Sequence, residues 1–341
     1  MVNMQILLDE NKKFYKANLH CHSTNSDGRM SVERLKEEFK KRGYQIVAFT
    51  DHEHLIDNSY LDDEDFLTIT SCEVAIKEFP DQSTMKNYGM RVCHLNFYAL
   101  DQHNTVTPCY NSVYDHFKNP NIEPLIKFEG EYERVYSADG INDMIKTAKE
   151  KGFIVAYNHP FWSLENARQY LGYEGLFAVE VYNHANAVGG GNDYCINVLD
   201  DFLRDGKRIF CTMCDDCHER KGAEGADSDM FGGFIMISAD KLDYNTIMSE
   251  LQKGNFYASQ GPEIYSLVRD GDMVRVKTSP AARISLSTAG RRTKAVNAGP
   301  NETVCEAKFS VRPDDGYFRI TVMDKSGKYA HTQAYYIDGE Q

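Results

Sequence analysis

The chain has no run of about 18 apolar residues, so it offers no helical membrane span. It also lacks an excess of positive charge. Its 38 Lys and Arg stand against 51 Asp and Glu, a formal net charge of -13. General affinity for nucleic acid or an anionic membrane rests on clustered cations, so neither is an expected partner. A small anion is still compatible, because a bound metal reverses the local field inside one pocket. The start, Met1 to Phe14, lacks the apolar stretch of a secretory signal and carries Asp9, Glu10, Lys12 and Lys13 instead. A cytoplasmic location is the expectation. No repeat or low-complexity segment is present, and the 9 cysteines are an odd number set in strand-like runs rather than in a small secreted frame, so reduced thiols are expected.

What is present is ample: 341 residues, 42% of them hydrophobic, suffice for a large core and a second, smaller domain. From about residue 14 to 260 short apolar runs alternate with helical patterns, the signature of an α/β protein. Strands are expected at Phe14 to Leu19, Gln45 to Phe49, Phe66 to Cys72, Arg91 to Phe97, Phe153 to Tyr157, Leu176 to Tyr182, Arg208 to Met213 and Phe234 to Ile237. Helices are expected at Ser31 to Lys41, capped by Ser31, at Ala138 to Lys151, stopped by Gly152, and at Asp193 to Arg204. Pro80 to Gly89 and Thr105 to Glu133 are polar and irregular, as loops are. After Gly261-Pro262 only alternating segments follow, with a hairpin expected around Asp324 to Gly327. The expected division is therefore residues 1–262 and an all-β tail, residues 263–341.

Residues two apart on a strand share a face, so His20 and His22 at the end of the first strand can grip one ion. Alone, a His-X-His is a weak signal. Further candidates sit at successive strand ends: Asp27 in Ser26-Asp27-Gly28, His52 in Thr50-Asp51-His52, Glu73, His94, His159 in Asn158-His159-Pro160, and Asp216 with His218. One such histidine is ordinarily a satisfied polar residue and one such aspartate a turn former. Six histidines, two aspartates and a glutamate together are different, because uncompensated they would be costly to desolvate, whereas divalent cations turn that cost into ligation.

In their order, these motifs resemble those of the PHP (polymerase and histidinol phosphatase) family of metal-dependent phosphoesterases, over about residues 14 to 262. The resemblance implies a distorted seven-stranded TIM-like barrel, followed here by the small all-β domain, and a trinuclear site of two to three divalent ions (zinc, manganese or iron). It implies that His20, His22, Glu73 and Asp216 hold one ion, that Glu73 bridges to a second held by His94 and His159, and that Asp27, His52 and His218 hold a third. The activity implied is hydrolysis of a small phosphate ester by a metal-bridging hydroxide. The same attack on a carbamate, amide or ester carbon is the alternative, and a non-catalytic metal-binding module the more distant one.

Catalytic roles beyond the ligands are assigned from position. Arg220, two residues past His218, is the expected phosphate clamp, with Arg168 and Lys16 behind it. His184, after the sixth strand, is the expected acid for the leaving group, with His54 as a second candidate. Asp51 is expected to orient a ligand histidine. Cys211, Cys214 and Cys217, every third residue in a strand pattern, make a poor iron-sulfur motif. Cys21, Cys72 and Cys93 should point away from the ligands beside them.

Overall fold

The computed structural model describes residues 4–79, 89–117, 119–192 and 194–337. Most of the expected loop at Pro80 to Gly89, and the expected helix start at Asp193, lie outside the described residues. The chain opens on β1 (Met4–Leu8) and β2 (Lys13–Cys21). β2 alternates at first and then is buried for its last five residues, so its C-terminal end reaches the interior. Ser31 caps α1 (Val32–Lys41) by accepting from the Arg34 N–H, and Glu33 and Lys40-Lys41 suit the two ends of its dipole. β3 (Ile46–Phe49), β4 (Leu67–Lys77) and β5 (Val92–Ala99) follow. In the polar stretch beyond them, β6 (Val106–Thr107) and β7 (Lys127–Phe128) pair briefly. Then come α2 (Ala138–Glu150), β8 (Phe153–Tyr157), α3 (Ala167–Tyr170), β9 (Ala178–Asn183), α4 (His184–Val188), α5 (Ile196–Arg204), β10 (Phe210–Cys214), β11 (Phe234–Ala239), α6 (Tyr244–Gln252) and β12 (Phe256–Ser259). Gly152, at φ +89°, is the left-handed residue that ends α2.

This is a mixed α/β protein dominated by one large sheet. Its strands run in the order β10-β9-β8-β5-β4-β3-β2-β11-β12 before passing into the tail. β2, β3 and β4 are parallel neighbours, whereas β5 runs antiparallel to both β4 and β8. Seven strands thus lead from β2 to β10, but among the described residues no ladder closes them into the expected barrel. The reason lies in β2: its first half, Lys13–Ala17, is already paired with β11. β10 meets β2 only past its own end, through a bridge between Cys21 and Cys217 and the bonds His22 N–H to Cys217 O (3.0 Å) and Asp216 N–H to His20 O (2.9 Å).

The tail comprises β13 (Ile264–Asp270), β14 (Met273–Ala281), β15 (Arg283–Thr288), β16 (Lys294–Asn297), β17 (Val304–Ser310), β18 (Tyr317–Met323), β19 (Tyr329–Thr332) and β20 (Tyr335–Tyr336). The hairpin joins β18 to β19 with Val322 opposite Ala330, and Gly327 takes a left-handed φ of +82° in its turn. β19 also pairs with β12, so the large sheet runs on into the tail. β1 departs from the expected division: it hydrogen-bonds to β13 and forms the edge of a second sheet, β1-β13-β14-β17. Leu8 joins Ile264, Leu267 and Val276 in that sheet's core. The burial of Leu8 is what a polar N-terminal stretch does not advertise in sequence.

Candidate metal centre

The nine candidate side chains meet at one end of the large sheet. β2 delivers His20 and, one residue beyond its end, His22; both are buried and their Nε2 atoms lie 3.4 Å apart. Glu73 comes from inside β4 rather than from its end, and His94 from inside β5. Glu73, buried, is the hub. Its Oε1 lies 3.2 Å from His20 Nε2, 3.0 Å from His94 Nδ1 and 3.1 Å from His159 Nε2, and its Oε2 lies 3.2 Å from His52 Nδ1. Asp216 Oδ1 lies 3.1 Å from His22 Nε2 and 3.2 Å from His20 Nε2. Asp27 Oδ1 gathers the far side, at 3.3 Å from His218 Nε2 and 3.6 Å from His52 Nε2.

These atoms form four compact groups: His22, Asp27, His52 and His218; His20, His22 and Glu73; His20, His159 and Asp216; and Glu73, His94 and His159. His22 therefore leans towards the Asp27 group as well as towards His20. The test of whether cations fit is in the leftover lone pairs. Asp27 Oδ1, Asp216 Oδ1 and His94 Nδ1 are buried without a hydrogen-bond partner, although other polar atoms crowd within 4 Å of each. Imidazole and carboxylate atoms converging on a common point are the geometry of ligation, and the mixture suits divalent transition ions. The residues fit the group.

Without such charge the cluster polarises itself. Burial pulls the His20 pKa down, but Asp216, Glu73 and Glu180 outweigh it and hold it well above the ordinary value. Burial, with His218 and His52 beside it, lowers His22 to about 4. Burial also opposes the charged form of Glu73, yet the surrounding imidazoles, His94 and His20 foremost, keep it well below the usual carboxylate range. His159 and His218, against the same desolvation, are raised to about 9 by their carboxylate neighbours. Neighbouring histidines forced to opposite shifts are the mark of crowded ligands.

Around the cluster stands a layer of anchors. Glu180, on β9, is the residue that sequence reasoning missed. It is buried, its Oε1 lies 3.1 Å from His20 Nδ1, and its Oε2 accepts from the His159 N–H (2.9 Å) and Asn183 Nδ2 (3.1 Å). The available signal was an acid inside the apolar run Phe177 to Val181. Asn183 Nδ2 donates to Asp216 Oδ2 (3.0 Å) and Asn158 Nδ2 to Glu73 Oε1 (2.8 Å). Asp216 and His159 hold left-handed φ values of +53° and +25°, strain that these bonds over-determine. Asp51 reaches a ligand histidine through Ser26, whose Oγ lies 3.5 Å from His22 Nδ1. It fixes the turn carrying Asp27, accepting from Ser23 N–H, Ser23 Oγ and Ser26 Oγ, each at 2.8 Å.

The cluster floors a cleft of about 750 Å³. Arg220, exposed, lines it beside Lys221. Trp162, half exposed, stands over His94 and His159 with ring centroids 5.0 Å from each, and Phe117 stacks on His52 at 5.1 Å. His184 is not brought to the cluster. Its strand-end position is as expected, but α4 starts there and turns the ring away, so that Nδ1 bonds to Tyr182 OH (2.8 Å) and the imidazole covers Gly232, where a Cβ would fall 2.0 Å from it. His54 is buried and bound to Asp115 (3.0 Å). Lys16 lies over the rings of Tyr44 and Phe234, 4.0 and 4.3 Å from their centroids, and neither it nor Arg168 lines the cleft. Cys72 and Cys93 are buried in the core, and Cys21 meets Cys217, sulfur to sulfur at 3.3 Å.

Residues 18–140 match the family model described as the PHP domain. Among solved structures, the chain is similar to a two-domain protein from Bacteroides vulgatus containing a predicted PHP-like metal-dependent phosphoesterase. The two are 13% identical, with 98% of this chain and 99% of that one covered and a TM-score of 0.41. It is also similar to an amidohydrolase from Chromobacterium violaceum with bound sulfate, at 14% identity, 70% and 96% coverage and a TM-score of 0.42. No curated protein sequence matches the chain.

Proposed function

For a chain that carries a PHP domain over residues 18–140, we propose the function of a metal-dependent phosphoesterase acting on a small phosphate ester. The observation that carries this reading is the convergence of nine imidazole and carboxylate side chains on unmated lone pairs at the floor of a cleft with cations on its wall. His20, His22, Glu73, Asp216, His94, His159, Asp27, His52 and His218 would hold up to three divalent ions, zinc, manganese or iron. Such ions supply Lewis acidity and make water a usable nucleophile near neutral pH. In the same reading the strands β2 to β10 are a distorted barrel, residues 1–262 are the hydrolase unit, residues 263–341 are an appended β domain, and the protein works in the cytoplasm.

The chain's own residues do the rest. Arg220 and Lys221, on one wall, orient the anionic group and offset its charge as it builds up. Glu180 fixes the ring orientation of His20 and the backbone of His159, and Asp51 fixes the turn of Asp27. Trp162 and Phe117 narrow the cleft above the imidazoles and keep bulk water from them. The test is to purify the chain without added metal, count bound ions by elemental analysis, and compare phosphate release from phosphomonoesters with hydrolysis of aryl carbamates and carboxylic esters. About two to three ions per chain and preferred phosphate release are expected. A chain that binds no metal and gains no activity with manganese or zinc overturns the proposal.

A further inference from the structure

β4 carries more than Glu73. Side chains two apart on a strand face the same way, so Glu73, Ala75 and Lys77 point to one side, and all three line the cleft. Four residues of strand rise separate Glu73 from Lys77, roughly 13 Å. Ala75 leaves the floor between them low. Lys77 is only 8% exposed, yet no carboxylate among the described residues lies within 4 Å of its ammonium. The nearest candidate, Glu53, is taken: Arg134 donates to both of its oxygens, at 2.7 and 2.5 Å. Lys77 Nζ has His116 Nε2 at 3.1 Å and the Tyr114 ring at 5.2 Å from its centroid, which among the described residues leaves two of its three N–H donors unclaimed.

A buried ammonium that faces a cleft and has no counter-charge among the described residues is half of an ion pair. Between it and the imidazole cluster the cleft is flanked by rings, Trp162 over His94, which stands opposite Ala75 on β5, and Phe117 on His52. Taking the phosphate-ester reading as premise, we propose that Lys77, with His116, is a second anion subsite, so that the substrate is a phosphate ester whose leaving group has an apolar or aromatic body ending in another anionic group. The two ends of the substrate are then held by different cations: the scissile phosphate at the cluster beside Arg220, the far carboxylate or phosphate at Lys77. Burial holds the Lys77 pKa below the ordinary lysine value, with Glu53 and Arg134 acting in opposite senses.

The sequence contains a single tryptophan, and it lines this cleft, so its fluorescence reports occupancy directly. The metal-loaded chain is titrated with benzylphosphonate, with 4-(phosphonomethyl)benzoate and its longer propanoate homologue, and with the corresponding bisphosphonate. At least one doubly anionic ligand is expected to bind about tenfold tighter than benzylphosphonate, the scale of one charge-assisted hydrogen bond in a buried site. Lys77→Met is expected to bring that ratio close to one, and Lys77→Arg to retain most of it. A ratio near one in the unmodified chain overturns the subsite without needing any variant, and so does an undiminished ratio in the Lys77→Met chain. Because the readout is binding, it separates the two proposals: a preserved Lys77-dependent ratio with no phosphate release from any ester sinks the reaction and supports the subsite, whereas phosphate release with no ratio does the reverse.

Discussion

Asp215 and Asp216 follow one another after β10, and the two carboxylates enter different worlds. Asp215 is fully buried and accepts from Asn18 Nδ2 (3.0 Å) and from the backbone N–H groups of Phe231 (2.7 Å), Gly232 (2.8 Å) and Gly233 (2.9 Å). Asp216 points the other way, into the imidazoles, and keeps Oδ1 without a donor. The same contrast separates larger regions. Glu165, buried behind the cluster, accepts from the hydroxyls of Tyr136, Tyr157 and Tyr173. At the seam with the tail, Gln333 bonds both the N–H and the C=O of Cys211 (2.8 and 3.1 Å), and Arg319 pairs with Asp200 (2.9 Å). Around Asp215, Glu165 and Gln333 the bonds close within the chain, with Arg319 Nε left over at the seam. At the cluster Asp27 Oδ1, Asp216 Oδ1 and His94 Nδ1 are left over together among the ligand side chains.

Breaking the comparison at its sharpest point gives the largest effect. Asp216→Ala is expected to reduce phosphate release by at least about a thousandfold, roughly 4 kcal/mol of transition-state stabilisation, and to lower bound metal. In chelator-treated protein at pH 8 its cost in stability, the loss of the Asn183 bond and of its charge beside the imidazoles of His20 and His22, should stay below that of Asp215→Ala, because it strands no backbone donor. Asp215→Ala strands three backbone donors and should cost about 3 kcal/mol or more with or without metal. Chelator should lower the melting temperature of the unmodified chain, because metal binds only the folded state, and lower that of Asp216→Ala by less. Equal destabilisation by the two substitutions in metal-free protein would erase the distinction.

Much of this was legible in the sequence, and the gaps have physical causes. The strand of Phe153–Tyr157 and the caps of α1 and α2 follow from local chemistry, a solid apolar run, a Ser N-cap, a left-handed glycine, which needs no distant partner. The meeting of His20 with Asp216 was foreseen only through the resemblance of the ordered motifs to the PHP family. Direction was the weak point. His184 lies at a strand end as expected, yet the helical turn that begins there aims it at Gly232. Glu180 was passed over because one acid in an apolar strand resembles an edge residue until its three partners are visible. β1 and α6 were missed for want of length and periodicity, and β1 depends on β13, some 260 residues away along the chain.

Glu180 sharpens the comparison because it belongs to the satisfied class while serving the other. Glu180→Gln keeps the size and one acceptor but loses the charge that orients His20 and favours its ligating tautomer. Loss of such a partner typically weakens metal binding by about 10- to 100-fold. The expected outcome is that shift in metal titrations, with kcat largely recovered at saturating metal. An unchanged metal affinity would make Glu180 a purely structural acid.

The seam, for its part, has an acid liability of its own. His331 is buried and neutral, with Nε2 2.6 Å from Tyr194 OH, Nδ1 2.8 Å from Thr321 Oγ1, and the Arg319 guanidinium at 3.5 Å. The rings of Tyr194 and Tyr329 stack on it, and Asp200 lies beyond Arg319. Desolvation, reinforced by Arg319, holds its pKa well below 6.5 in the folded chain. The unfolded chain takes up that proton near pH 6.5, so it binds more protons over the interval between the two values. Its contribution to stability is therefore complete above pH 6.5 and is lost as pH falls through the interval, by up to about 1.4 kcal/mol per unit. His331→Gln keeps an acceptor for Tyr194 and cannot titrate. In metal-free protein followed from pH 7.5 to 5, the melting temperature of the unmodified chain should fall more steeply than that of the variant, and the cluster histidines, common to both, drop out of the difference. Parallel curves would mean that the seam opens to water before His331 protonates, and that the region classed here as self-satisfied is held together by its apolar contacts alone.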